Sequence, residues 1–510
     1  MSEHRTVFRS AGMIAFFTFV SRVAGFARDI IIARMFGTTM VAQAFVVAFR
    51  IPNTFRDLVG EGAASSAIIP IFSEYVTREK KQDFWRLVNV VMTIATIILS
   101  LVTLLGMLCA PLVIRVVAFG FADNAAKMDL TIALTRIMFP FILFISLASL
   151  VMSALNTLKD FNISAASPCL MNILMIIAGL WICPRLSEPV MGMAFAVLLG
   201  GILQFAAQMP FLRAKGYVFA WTPDWKHPAL RRISSLLAPR IIGSSIYQVN
   251  VFIDTMFASM GKIVGEGAVA ALYYSNRLVQ FPTAIFGLAL ATAFLPTLSR
   301  QAVARDFDNL KRTLRVALRG LILFLVPSTV GLMVLAQPIV KMLFERGKFD
   351  AGSTRMTAFV LLFYALGIVA YGGSRMVAAC FYSMQDTRTP VKVTAFCMIA
   401  NIFLNYAFMW SLQAGGLALA TALTSLANFF GLLWNLQRKI GPLGLRQTAQ
   451  ESVLVLVASG LMGITCWLSM RFLLSSHESL RLLVTITAGI AVFFAAGGML
   501  GVFRGFKLRQ

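Results

Sequence analysis

The sequence predicts an all-α polytopic membrane protein of about 14 transmembrane helices, built as two six-helix lobes related by a parallel repeat, with two extra C-terminal helices. Three observations predict it: an apolar composition, regular segmentation and internal repetition. Of 510 residues, 59% are hydrophobic and 13% charged, with a mean hydropathy of +0.81. No soluble domain of this size carries so much apolar surface. A spanning helix needs ~20 apolar residues, and no long hydrophilic stretch leaves room for an extramembrane domain.

A net charge of +24 in a soluble chain would point to nucleic acid; in a membrane chain the cations must first be divided between loops and interior, and no nucleic-acid partner is expected. The six cysteines lie scattered in apolar segments without a CxxC pair or a histidine at ligand spacing, so neither a disulfide nor a metal site is expected. Met1 to Arg9 is a short polar start with no small-residue cleavage site after a compact apolar run, which predicts that the first helix is retained.

Apolar segments bounded by charge or by Gly and Pro place helices near 10–36, 40–70, 88–117, 130–155, 163–183, 189–212, 234–260, 267–297, 314–337, 356–383, 390–411, 415–436, 450–471 and 480–503. With the N-terminus in the cytoplasm, the even-numbered connections collect Arg78 to Lys81, Arg213 to Arg232, Arg300 to Arg315 and Arg438 to Arg446. That side then holds roughly 25 Lys and Arg against roughly nine opposite, as the positive-inside rule requires. Both termini are therefore expected in the cytoplasm. Lys341, Arg346 and Lys348 in one outward loop are the exception, and a local amphipathic turn accounts for them.

The chain also repeats. Ala44–Arg50 matches Ala271–Arg277, and the same offset of about 227 pairs Pro111 with Pro338, Gly120 with Gly347 and Asp123 with Asp350. Six helices separate the copies, so both run the same way through the membrane and an axis along the membrane normal relates them. The expected division is 1–213 for one lobe, 214–440 for the other and 441–510 for the extra helices. Two similar lobes rocking about a central site provide alternating access, which marks a transporter.

Charge inside the apolar segments says what is transported. Arg22 lies ~20 Å along a helix from Arg9, near mid-bilayer, where an uncompensated arginine costs at least ~2.5–3.5 kcal/mol. Arg22 and Arg28 are therefore expected to face a wet cavity, with Asp29 offsetting part of the charge and Gly25 permitting close helix approach. The second segment carries Arg50, Pro52, Arg56, Asp57, Glu61 and Gly62 at mid-length, where lipid exposure is least tolerable. The eighth carries Arg277, with Asp254 of the seventh as a partner, and the tenth carries Arg375 behind Gly372-Gly373. For any one arginine an ion pair or interfacial anchor is the competing reading, and Arg34, Arg115 and Arg136, nearer helix ends, fit it. A cluster of guanidinium groups in a cavity suits phosphate, which it grips through bidentate, charge-assisted bonds.

At Ser21–Asp29, Pro52-Asn53, Glu61–Ala63, Phe344–Phe349 and Phe381–Lys392 the sequence resembles the MurJ (MviN) lipid II flippases of the multidrug/oligosaccharidyl-lipid/polysaccharide exporter superfamily, over essentially the whole chain. The resemblance implies a flippase, not an enzyme, that moves lipid II, the undecaprenyl-pyrophosphate-linked peptidoglycan precursor, from the cytoplasmic to the outer leaflet of the bacterial inner membrane. It implies substrate-binding roles for Arg22, Arg28, Arg56, Arg277 and Glu61, with Ser21, Gly25, Asp29, Asp254 and Arg375 in support. It also implies a lipid-tail groove at the extra helices, membrane lipids and cell-wall synthesis enzymes as partners, and no cofactor, the drive being the membrane potential or an ion gradient. This chain departs from some relatives at Gln43 and Asn276, where they carry aspartate, which makes the interior more positive.

The rival readings are narrower. A cation-coupled multidrug exporter would want buried carboxylates rather than arginines. A flippase for another polyprenyl-pyrophosphate oligosaccharide differs only in the family motifs. A membrane glycosyltransferase or phosphatase needs acid/base or metal-binding groups, but His4, His227 and His477 all fall in termini or loops.

Overall fold

The computed structural model describes residues 2–56, 65–78, 81–473 and 477–503, and every regular element among them is helical. The chain packs as two compact units, Met1–Ser259 and Met260–Gln510. The first holds α1 (Ser2–Phe36), α2 (Met40–Phe55), α3 (Ser65–Arg78), α4 (Lys81–Leu108), α5 (Ala110–Val117), α6 (Ala125–Met138), α7 (Phe141–Thr157), α8 (Asn162–Ile177), α9 (Pro189–Ala214) and α10 (Pro228–Ala258). The second holds α11 (Gly261–Val264), α12 (Ala268–Pro282), α13 (Ala289–Val303), α14 (Phe307–Val334), α15 (Ala336–Phe344), α16 (Ala351–Ala365), α17 (Ile368–Ser383), α18 (Arg388–Ile440), α19 (Arg446–Phe472) and α20 (Glu478–Met499).

Among the described residues nine helices are long and apolar enough to cross a membrane, or ten if α16 and α17, bent by 42° at their break, count as one span. The helices fit the fourteen expected segments, with local differences. The second segment resolves into α2 and α3, with 57–64 outside the described residues. The third starts at Lys81, its charged first turns extending the helix beyond the apolar stretch, and breaks at Cys109 where Pro111 opens α5. The seventh starts earlier, at Pro228, behind His227, whose ring accepts from the Ala229 amide at 3.3 Å. The eleventh and twelfth are joined in the 53-residue α18, whose backbone breaks at Gln413 (φ 52°, ψ −132°).

The internal repeat is legible in the elements of each unit. Helices α4 and α14 are both 28 residues long and begin 226 positions apart, at 81 and 307. The same spacing separates the starts of α5 and α15 (110 and 336), α6 and α16 (125 and 351), and α8 and α18 (162 and 388). Asn124 caps α6 by accepting from the Lys127 amide at 3.1 Å, and Asp350 caps α16 by accepting from Ser353 at 2.8 Å. The caps therefore pair Asn124 with Asp350, one residue off the pairing of Asp123 with Asp350 drawn from sequence.

Each unit has its own apolar core. In the first, Phe72, Phe84, Leu87, Val151, Leu155 and Leu212 join α3, α4, α7 and α9. In the second, Leu323, Val455, Met462, Leu482 and Phe493 bind α19 and α20 to α14. Ion pairs hold that last contact at separate points, Arg319 to Glu451 at 2.8 Å and, from α15, Lys341 to Glu478 at 2.6 Å. Outward stripes such as Ile98, Leu101, Leu105 and Leu108 of α4 remain exposed, as helices facing acyl chains require.

Candidate functional site

Arg28 is the most enclosed of the four candidate arginines. It is 5% exposed, and three helices surround it. Its Nη2 and Nε donate to Asp29 Oδ1 at 2.8 and 3.1 Å, and its Nη1 donates to Asn172 Oδ1 of α8 at 3.0 Å. The guanidinium also lies 5.4 Å from the centre of the Phe49 ring of α2. Asn172 closes the arrangement by donating from Nδ2 to the Ser21 carbonyl at 3.1 Å. Gly25 faces the same amide: a Cβ on it would sit 3.5 Å from Asn172 Nδ2, an ordinary van der Waals contact. Ser21, Gly25 and Arg28 thus share the face of α1 that meets α8, while Arg22 is exposed and lies about 120° around the helix from Arg28.

Asn172 is a site residue that the sequence reading missed. An isolated amide in an apolar segment is its signal, because polar groups at that depth are costly unless bonded. Lys127 was missed as well. It is 3% exposed, its Nζ donates to Gln43 Oε1 at 3.2 Å and lies 4.1 Å from the Phe121 ring centre. Gln43 is therefore an acceptor for a buried ammonium. Arg50, the repeat counterpart of Arg277, donates to Thr255 Oγ1 of α10.

Arg56 sits half-buried at the C-terminal end of α2, and its amide closes onto Asn53 and Pro52. Asp57, Glu61 and Gly62 lie outside the described residues. Asp254, half-buried on α10, accepts from Asn250 at 3.4 Å. In the second unit Arg277 is half-buried on α12, donating to the Tyr273 hydroxyl at 3.1 Å and to Gln280 Oε1 at 3.3 Å; Gln280 in turn donates to Asn276. Just beyond it Pro282 leads into a wide π turn, Thr283–Leu288, where a Cβ on Gly287 would lie 3.2 Å from the Cα of Gly372. Arg375, on the same helix as Gly372, is exposed.

Cations on membrane-spanning helices, in a chain whose two units repeat one order of elements, define a multi-pass helical transporter. Comparison with known proteins gives the family. A family model described as lipid II flippase MurJ matches residues 32–490. The chain is 36% identical over 512 positions to a lipid II flippase MurJ of Burkholderia cenocepacia, covering 98% of each. It is 34% identical over 431 positions to a probable lipid II flippase MurJ of Vibrio cholerae, covering 83% of this chain and 82% of that one. Among solved structures it matches a lipid II flippase MurJ in an inward closed conformation with a TM-score of 0.81 at 24% identity, over 97% and 99% of the two chains. An inward-facing MATE multidrug transporter of the MOP superfamily shares the fold, with a TM-score of 0.72 at 16% identity over 84% and 96%. The chain belongs to the lipid II flippase MurJ family, whose members are transporters rather than enzymes.

Proposed function

We propose that this chain carries lipid II from the cytoplasmic to the outer leaflet of the bacterial inner membrane by alternating access, both termini facing the cytoplasm. Arg22, Arg28, Arg56 and Arg277, with Glu61, engage the pyrophosphate. Ser21, Gly25, Asp29, Asp254 and Arg375 support them, and α19 and α20 receive the lipid tail. The observation that carries the reading is the family match across residues 32–490, which spans every one of these arginines except Arg22 and Arg28.

Those two lie just ahead of the matched stretch, within the region that aligns with the Burkholderia relative over 98% of this chain. The enclosure of Arg28 adds a requirement: to grip phosphate it must exchange the Asp29 and Asn172 oxygens for phosphate oxygens, a like-for-like trade of charge-assisted bonds. Guanidinium groups that move through the field couple to the membrane potential at ~2.3 kcal/mol per charge per 100 mV, so no cofactor is needed.

Translocation in proteoliposomes tests the reading. Lipid II is expected to cross, and an equally long polyprenyl pyrophosphate bearing a different oligosaccharide to cross at least tenfold more slowly, about the discrimination that one lost hydrogen-bonded contact gives. Arg277→Ala should abolish transport and Arg277→Lys restore part of it, since lysine keeps the charge and loses the fork. Equal rates for both cargoes would overturn the substrate, and full activity of Arg277→Ala the role of the arginine.

A further inference from the structure

Two polar side chains on α4 have no part in the proposed transport. Asn89 is 6% exposed and Thr93 0%, both beyond the charged first turns of the helix. Their partners are all backbone groups of one connection, the stretch between α9 and α10. Asn89 Nδ2 donates to the Val218 carbonyl at 3.0 Å, Asn89 Oδ1 accepts from the Ala220 amide at 3.1 Å, and Thr93 Oγ1 accepts from the Thr222 amide at 3.2 Å. Asn89 and Thr93 lie ~12 and ~18 Å along α4 from Lys81. The connection thus runs down the helix, past its charged first turns and onto its apolar part.

It then returns. Asp224 comes within 3.7 Å of Arg86, near the start of α4, and the entry is tied by Lys215 to Asp160 at 3.1 Å. Extended backbone can enter an apolar layer only if its N–H and C=O groups are satisfied from within the protein, and Asn89 and Thr93 do that. Tyr217 faces inward at 2% exposed, whereas Val218, Phe219, Trp221 and Trp225 face outward at 76, 53, 57 and 56%. Phe219 and Trp221 stand edge to face with ring centres 6.4 Å apart. Exposed Lys226 and Arg231 follow the aromatic run.

Large rings beside the first apolar turns of a spanning helix, flanked by cations, suit the headgroup layer of a bilayer, and the cations suit anionic lipid. We infer that residues 215–227 form a loop that dips into the headgroup layer and binds anionic phospholipid, with Trp221 near its deepest point. A partner protein would also cover aromatic side chains, but it would not require the backbone to be satisfied along the apolar part of α4.

The full chain in vesicles tests this. Subtracting the emission of Trp221→Phe or Trp225→Phe from that of the unaltered chain isolates each tryptophan. Phosphatidylcholine brominated high on the acyl chain should quench the Trp221 emission more than the Trp225 emission. Brominated phosphatidylglycerol at the same mole fraction should quench Trp221 about twofold more, an advantage that Lys226→Gln with Arg231→Gln removes. Equal quenching by the two lipids would overturn the anionic preference. Trp221 emission untouched by brominated lipid and quenched by aqueous acrylamide would overturn the insertion and place the loop in water, open to a protein partner. Should Trp221→Phe fail to fold, hydrogen exchange in the unaltered chain replaces it: slower exchange of the Phe219 and Trp221 amides in vesicles containing phosphatidylglycerol than in detergent supports the inserted loop, and equal exchange overturns it.

Discussion

Arg28 and Arg277 belong to one expected binding set, yet the two units hold them by different physical means. The bonds from Arg28 reach across helices, to Asn172 of α8 and the ring of Phe49 of α2, and to the adjacent Asp29. Those from Arg277 to Tyr273 and Gln280 stay on its own helix, within one turn on either side. A guanidinium bonded between helices is part of how they pack, whereas bonds along one helix hold a side chain to its own turns. The lesson is that an arginine inside a membrane protein can be both a ligand and a structural element, and that its partners tell how much of each.

The largest effect should come from breaking this contrast at Arg28. Arg28→Ala leaves the buried Asp29 carboxylate without its guanidinium, a change that costs about 3–5 kcal/mol in comparable buried pairs. Of the contacts that Arg277→Ala removes, those to Tyr273 and Gln280 on its own helix are worth about 0.2–0.5 kcal/mol each. Thermal unfolding in detergent should therefore separate the two variants clearly, with both inactive in transport. Equal loss of stability would erase the contrast.

Asn172→Leu sharpens it. The substitution removes the amide that joins Arg28 to the Ser21 carbonyl and should cost about 1–3 kcal/mol. Proteolysis of the first unit should quicken, while hydrogen exchange in α14, α19 and α20 of the second unit stays as it was. Unchanged proteolysis would mean that α1 and α8 are held by apolar packing alone.

The smallest effect concerns a pair at the ends of α18, outside the apolar spans. Burial alone would raise the Asp386 carboxyl, but the Lys439 ammonium at 2.6 Å and the amide and hydroxyl of Thr389 outweigh it and hold the group at about 2. A carboxylate lowered in the folded state contributes stability above its ordinary pKa of 3.8, and the contribution is lost as pH falls through about 2. Lys439 is 43% exposed on its side chain, so the pair is worth about 1 kcal/mol. Acid unfolding should show it: in Lys439→Gln the loss of stability should begin at the same pH, be complete at a higher pH and be smaller in size. An unchanged acid profile would place the stability of this end elsewhere.

Much of the fold was legible before any coordinates. Length and hydropathy of the segments, the cations inside them and the repeat are local or periodic properties of the chain, and each found its helix. Helix ends were less legible. The start of α4 at Lys81 and the joining of two segments through Gln413 depend on how charged turns and a break are accommodated by neighbours. The caps corrected the repeat by one residue because they report on backbone amides, while sequence matching reports only on residue type.

The sequence by itself determined that this protein is a helical, doubled, membrane-spanning chain with arginines in its interior, since a run of apolar residues or a charge within it has a cost that no partner needs to be known to estimate. The tertiary structure alone decided what each of those groups touches. Arg28 meets Asn172 from 144 positions away, Lys127 meets Gln43 from 84, and Asn89 meets the Ala220 amide from 131. Such choices follow from which helix faces come together, and that is set by side-chain packing over the whole unit rather than by any stretch of sequence near the residue concerned.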